Sequence, residues 1–482
     1  AQRELLRIIH PRVVHPVALG RVAVPQDVIG AVMAFMLIYG AVMVGLTLLM
    51  LATGLDVVTA FTAVIGCLNN IGPGMGKVGP AGNFGSLSET QIWICSLAML
   101  LGRLELLSVL VLGGCQSLQP ARHASDDGAG AYATGRYRNL FAEAGYSQEE
   151  IRSKIDGAFQ QLFHGDPANE AVYYEAGSNS NGPLAYITDI KHRDVRTEGL
   201  SYGMIIAVQL DKKREFDALW NWSMTYLYNA DTNHFSYGFF SWQARTNGVR
   251  MSQFVAPDGE EYYVMALYFA ANRWGNGEGI YNYKEQADQL LWRMKNRHRI
   301  TSTMNWRGGS RSITGGPLFD VEHKMVLFTP SDERMRFTDP SYHLPAFYEL
   351  WARWGPEEDR EFWKEAAQVS RDFFVRVTHP VTGLNPSYAH FDGSLVTNYG
   401  GRYSTNFTYD AFRTAGNWAV DWSWWAKDPR QRELSDRLQA FFESQGTNYG
   451  CQFTLDGEPF EDRHAEGLVA INAVASLAAT DA

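Results

Sequence analysis

Residues 198–228 read EGLSYGMIIAVQLDKKREFDALWNWSMTYLY and decide the fold class. Apolar residues recur at three- and four-residue spacing through 198–210 and again through 212–228, with a short charged break between. That is the pattern of two helices joined by a tight connection. The same spacing returns in SQEEIRSKIDGAFQQLF (147–163), DGEEYYVMALYFAANRWG (258–275), DPSYHLPAFYELWARWG (339–355) and EDREFWKEAAQVSRDFFVRV (358–377), and many of these helices stop at Gly or Pro. About ten helices are expected from Tyr146 to Ala482. Strand-like alternation is scarce, so the expectation is an all-α toroid of helical hairpins.

The chain is 482 residues long, more than one ordinary core accommodates, and its composition divides unevenly. The first 118 residues are apolar and Gly-rich and hold one of the fourteen tryptophans; the remainder is polar, acidic and dense in aromatics. A net charge of -10 without a Lys/Arg run excludes nucleic-acid binding, since nothing offsets phosphate repulsion. Only Cys451 falls in the second region, which therefore holds no internal disulfide. The histidines show no metal-ligand spacing and no Gly-rich loop is followed by a phosphate-binding Lys, so neither a metal nor another cofactor is expected.

Val28 to Leu51 is uncharged and long enough to cross a bilayer as a helix; Ile92 to Leu112 is a second candidate, with Arg103 and Glu105 inside it. A short apolar helix and a Gly-rich loop lie between them, the pattern of a re-entrant, pore-like segment. LNNIGPGMG (68–76), NFGSLS (83–88) and AMLLGRLELLSVLVL (98–112) resemble the C-terminal end of Trk-type potassium-uptake proteins. The resemblance covers about 110 residues and supplies one pore-loop repeat of the four such a protein needs, so this chain alone is not expected to conduct potassium. Arg3, Arg7, Arg12 and Arg21 mark the first flank as cytoplasmic, and two spans return the chain there. A competing reading takes Leu112-Gly113-Gly114-Cys115 as a lipoprotein cleavage site, with an exported enzyme anchored at Cys115. The domains are thus a membrane segment over 1–115, a polar linker over 116–135 and a catalytic domain over 136–482, cytoplasmic and membrane-tethered on the first reading.

Trp242, Phe254, Trp306, Tyr388 and Tyr403 fall in or near the loops of the second region, and aromatic rings stack on the apolar faces of sugars. Hydrolysing a glycosidic bond needs a protonated carboxyl for the leaving oxygen and, for inversion, an ionised carboxylate that activates water. Glu198 opens an apolar helix, where burial against Tyr202 would raise its pKa as an acid requires, while Arg196 pulls the other way. It also suits a first-turn glutamate complementing the helix dipole, with Thr197 as the cap. Asp258 and Asp339 read as N-caps. Asp410, in an aromatic setting three residues before Arg413, is the stronger candidate base.

The segments DVRTEGLSYGM (194–204), APDGEEYY (256–263), NYKEQA (282–287), DPSYHLPAFYEL (339–350), FWKEAA (362–367), HPVTGLNPSYA (379–389), YDAFR (409–413) and DGEPFE (456–461) occur in the order found in glycoside hydrolase family 8. The second region resembles that family over nearly its whole length, and most of all its reducing-end xylose-releasing exo-oligoxylanases. The resemblance implies an (α/α)6 barrel and an inverting hydrolase of xylo-oligosaccharides. It makes Glu198 the general acid, Asp410 the general base and Tyr342 the residue that positions water. Asp258 is the third carboxylate, gripping the sugar beside the cleaved bond, with Arg413 next to it, and His464 recognises the reducing end. Endo-acting xylanases or glucanases of the family, or a sugar-binding module that no longer cleaves, are the alternatives. Two departures stand out. The chain stops at SLAATDA before the last helix or two of six hairpins, which makes a C-terminally truncated barrel the expectation, and Arg463 alters the loop at His464.

Gly199-Leu200-Ser201-Tyr202-Gly203 also fits G-x-S-x-G. A serine elbow needs an apolar strand before it, and here the polar DVRTE precedes the motif.

Overall fold

The structure is a computed structural model. It describes residues 39–69, 74–79, 83–99, 129–304, 309–331 and 336–480 in full, with backbone elements alone at 18–19, 22–23, 26–38, 100–103 and 305–306. The chain divides into two compact units, Ala1–Arg122 and His123–Ala482.

In the first unit, α1 (Gln26–Ala52), α2 (Val57–Leu68) and α3 (Glu89–Arg103) gather around a small cluster that includes Met50, Ala60, Val64, Cys67, Val78 and Cys95. Asp56 caps α2, accepting from the Thr59 amide at 3.0 Å. The Gly-rich loop folds back along α2: the Met75 amide donates to Thr62 Oγ1 at 2.8 Å and the Lys77 amide to Thr59 Oγ1 at 3.1 Å. Gly76 (φ +67°) permits this approach, because a Cβ there would stand 2.2 Å from Thr59 Oγ1. Among the described residues no helix is long and apolar enough to cross a membrane. The expected spans Val28–Leu51 and Ile92–Leu112 lie partly outside the described residues. Arg3, Arg7, Arg12, Arg21, Glu105 and the Leu112–Cys115 motif lie wholly outside them.

The second unit is mostly helical. After α4 (Gln148–His164) come four hairpins: α5 (Thr197–Gln209) with α6 (Lys213–Trp222), α7 (Pro257–Trp274) with α8 (Tyr283–Asn296), α9 (Pro345–Trp354) with α10 (Arg360–Val377), and α11 (Phe412–Trp425) with α12 (Arg430–Ser444). Then comes α13 (Glu466–Ala475), packed on α11. The first member of each hairpin leans on the first member of the next: α5 on α7, α7 on α9 through the Tyr348–Glu261 hydrogen bond of 2.6 Å, and α9 on α11. Trp220, Trp222, Trp351, Trp363 and Trp418 are fully buried. The expectation of an all-α unit needs one correction. Antiparallel ribbons β1 (Tyr173–Asn179) with β2 (Gly182–Ile187), and β3 (Ile300–Trp306) with β4 (Gly309–Gly315), decorate the helices.

The stretch read as a linker, 116–135, joins this unit at its end. A Cβ on Gly130 would meet the Trp424 carbonyl at 2.3 Å, and Tyr132 stacks on Trp425 with centroids 4.4 Å apart. Residues 104–128 of that stretch and its approach lie outside the described residues.

An ionic knot ties three hairpin members together. Arg371 of α10 donates to Glu349 of α9 at 2.9 Å and to both oxygens of Asp421 of α11 at 2.7 and 2.8 Å. All three side chains are at most 2% exposed.

Candidate active site

The candidate residues share one architectural address, the N-terminal ends of the inward helices. Glu198 is in the first turn of α5, Asp258 in the first turn of α7, Tyr342 in the 3-10 turn before α9, and Asp410 and Arg413 at the entry to α11. Unpaired amides and the positive ends of helix dipoles converge there, a setting that favours carboxylates.

Arg413 is the hub. Its Nη1 donates to Glu198 Oε1 at 2.6 Å, Asp258 Oδ2 at 2.8 Å and Tyr202 Oη at 3.0 Å, and its Nη2 stands 3.6 Å from Asp410 Oδ1. The guanidinium also lies 5.6 Å over the Tyr342 ring. Asp410 accepts from Tyr403 Oη at 2.8 Å and from Tyr388 Oη at 3.4 Å. The acid and base candidates therefore sit on opposite nitrogens of one guanidinium.

The cavity between them has a volume of about 580 Å³. Its walls include Trp242, Phe254, Phe328, Tyr388, Tyr399 and Tyr403. The aromatic expectation thus holds for Trp242, Phe254, Tyr388 and Tyr403, while the side chain of Trp306 lies outside the described residues. Arg196, also on the wall, lays its guanidinium 5.6 Å from the Trp242 ring and pairs with Asp194 at 3.0 Å.

Electrostatics correct the reading of Glu198. Burial does push its pKa up, but the Arg413 charge, a hydrogen bond with Asp258 and the Arg196 charge outweigh burial and bring it below the usual value. Asp258, 2% exposed, is raised well above the carboxylate range by burial and by the Glu198 charge. Asp339 is fully buried and pushed up to about 8 by burial and the Asp410 charge.

Capping is also redistributed. Asp258 does not cap α7: Ala256 holds that position with Pro257 at the first turn, and Asp258 Oδ1 turns to the Gly259 amide at 2.9 Å. Nor does Thr197 cap α5, because Arg196 stands at the cap and Thr197 Oγ1 is buried without a partner. The space beside that hydroxyl is closed by α7, where a Cβ on Gly259 would stand 2.4 Å from Thr197 Oγ1. Asp339 does cap its turn, accepting from the Ser341 amide at 2.8 Å. Ser201 of the G-x-S-x-G match is buried within α5 and donates to the Glu198 carbonyl at 3.1 Å. It sits on no elbow.

His464 is not on the cavity wall. Its Nδ1 meets the Tyr449 carbonyl at 2.9 Å and its ring lies edge-on to Tyr449. Sequence reasoning took Tyr202 only as packing for Glu198 and passed over Arg311 on β4 and Phe328 and Tyr399 in loops, none of which belongs to a motif.

Facing carboxylates bridged by an arginine in an aromatic cleft, at one end of stacked helical hairpins, define a glycosidase. Residues 178–482 match the profile of glycosyl hydrolases family 8, and the chain belongs to that family. It is 42% identical over 354 residues to the reducing-end xylose-releasing exo-oligoxylanase Rex8A of Paenibacillus barcinonensis, spanning 73% of this chain and 87% of that one. A solved family 8 xylanase from Teredinibacter turnerae, crystallised with xylohexaose, is 52% identical with a TM-score of 0.71, over 73% of this chain and 89% of that one. Residues 2–117 match a cation transport protein profile. Over 110 residues they are 44% identical to the potassium uptake protein TrkH of Vibrio parahaemolyticus, covering 23% of this chain and 22% of that protein.

Proposed function

We propose that the chain hydrolyses β-1,4-xylo-oligosaccharides with inversion and releases xylose from the reducing end. The observation that carries this reading is Arg413 joining Glu198, Asp258 and Asp410 across an aromatic cavity, in a chain whose relatives are named for that activity. Glu198 acts as general acid. In its protonated form it delivers a proton to the departing glycosidic oxygen. Asp410, oriented by Tyr403 and Tyr388, takes a proton from the water that attacks the opposite face, while Tyr342 positions that water. Asp258 and Arg413 hold the sugar beside the bond, and His464 recognises the reducing end from the adjoining loop. The reaction requires no cofactor.

A second reading is cleavage within longer chains. The 52% identity to a xylanase and the position of His464 off the cavity wall favour it.

Proton NMR of fresh xylotriose digests is expected to show the α-anomer first; the β-anomer first would overturn inversion. Asp410→Ala is expected to lower turnover by about a thousandfold. Unchanged turnover would remove it as the base. Xylose and xylopentaose as the only new products from xylohexaose at early times support end release, whereas xylobiose, xylotriose and xylotetraose at those times support the second reading.

Residues 1–115, on this proposal, are a membrane segment with a re-entrant loop, which leaves the hydrolase cytoplasmic and tethered; lipid anchoring at Cys115 outside the cell is the alternative. Metabolic labelling with a radioactive fatty acid separates the two, since only the second labels the chain.

A further inference from the structure

A second cavity, of about 530 Å³, opens beside the ribbon β1–β2, and none of the candidate catalytic residues lines it. Tyr174 and Tyr186 line one side of it together. They are register partners across the ribbon, and their rings stack with centroids 5.6 Å and planes 21° apart. Both hydroxyls are engaged within the protein. Tyr174 Oη lies 2.9 Å from the Pro167 carbonyl and 3.0 Å from that of Ala171, and Tyr186 pairs with Thr246. The two half-buried rings are therefore fixed in direction, and what they offer the cavity is aromatic surface.

Polar groups stand at the edge of those rings. Asp189 Oδ1 accepts from the His192 amide at 2.6 Å, while its Oδ2 stays 3.7 Å from Arg196 Nη1, beyond hydrogen-bond reach. Arg193, on the same wall, adopts a φ of +54°, and its amide donates to the Asp189 carbonyl at 2.8 Å. A non-glycine residue seldom holds that conformation, and such strain gathers at ligand sites. Arg196 lines the active cavity, so the two cavities are neighbours across the Asp189–Arg196 pair. The pairing of Val195–Arg196 with Gln243–Ala244 links them, with Trp242 on the wall of one and Thr246 on the wall of the other.

This mixture of groups narrows the ligand class. Asp189 and Glu170 against Arg193 leave no positive excess for a phosphate or a uronate. Among the described residues no group of side chains could hold a metal ion. A wholly apolar ligand would leave Asp189 Oδ2 dry and unpaired. A neutral sugar satisfies every wall, with a C–H face for the rings and hydroxyls for the carboxylate and guanidinium. We propose that this cavity is a second, non-catalytic carbohydrate site, in which Tyr174 and Tyr186 stack against a segment of a β-1,4-linked xylose chain and Asp189 accepts its hydroxyls. The inference rests on the xylo-oligosaccharide reading given above.

Equilibrium dialysis of the full-length Asp410→Ala chain with tritiated xylotriose counts the sites. About two equivalents are expected to bind, one in each cavity, and about one after Ala168→Trp, whose indole fills the second cavity from its exposed edge. One equivalent in the Asp410→Ala chain itself, or two after Ala168→Trp, overturns the proposal. Without the Asp410 substitution, Ala168→Trp is expected to keep kcat/KM for xylotriose within about twofold of wild type, which verifies its fold. Tyr174→Ala reads the same site should the larger side chain disturb its loop. It is expected to weaken the second equivalent about fivefold and leave the first unchanged. Equal weakening of both, or of neither, overturns the site. Failure of wild type to cleave xylotriose counts against the hydrolase reading, whereas a single equivalent bound beside intact cleavage counts against the second site alone.

Discussion

Asp339 shows how much a single side chain's surroundings can add to its local role. Its sequence setting before Pro340 announced a cap, and it is one. The sequence could not show that the cap is fully buried and faces Asp410 from 71 positions away, with Oδ2 unpartnered. Its pKa of about 8 in the fold lies above the unfolded value near 3.8, so its contribution to stability is present in acid and lost as pH rises from about 4 towards 8. Asp339→Asn keeps the cap oxygen and removes the titration. The variant is expected to gain on wild type by the order of 2 kcal/mol more at pH 8 than at pH 4.5, each pKa unit being worth about 1.4 kcal/mol. Urea melts at the two pH values measure this, and an equal offset at both would refute it. Ser201→Ala is a companion measurement. Because Ser201 only returns a hydrogen bond to its own helix, turnover is expected to stay within about threefold of wild type, and loss of activity would reopen the serine-hydrolase reading.

At the scale of elements, helix starts were legible and their meeting was not. The 3.6-residue period picked out α4, the hairpins α5–α6 and α9–α10, and α7, and Gly marked the ends of several of them. The ribbon β1–β2 was missed although Asn181-Gly182 at its turn is a strong hairpin signal, because its flanking residues alternate only weakly. Arg413 was legible as a neighbour of Asp410, three residues on. Its bonds to Glu198 and Asp258 span 215 and 155 residues, which no local pattern encodes. The Arg371 knot is equally non-local and gives an element-scale prediction. Arg371→Ala leaves Asp421 buried without its cation and Glu349 with only Lys427 and Arg353, and is expected to cost about 3–5 kcal/mol. Arg371→Met combined with Glu349→Gln and Asp421→Leu should recover part of this loss. A single substitution that left the urea midpoint unchanged would show that the knot contributes nothing.

For the molecule as a whole, each unit gathers its own apolar residues, and the candidate catalytic residues all come from the second. A chain beginning at residue 129 is therefore expected to cleave xylotriose with kcat/KM within about twofold of the full chain. A tenfold fall would show that the first unit contributes to catalysis.

The missing side chain at Gly259 gives the site its tolerance. α5 and α7 touch where Gly259 meets Thr197, and the next residue of the one helix and the preceding residue of the other are Glu198 and Asp258. That point of contact works as a gauge block: it fixes the gap that a single guanidinium nitrogen must span. One methyl group inserted there would widen the gap before altering any atom that touches sugar. The pair would then no longer share its arginine, and a chemically intact enzyme would fail for want of a dimension.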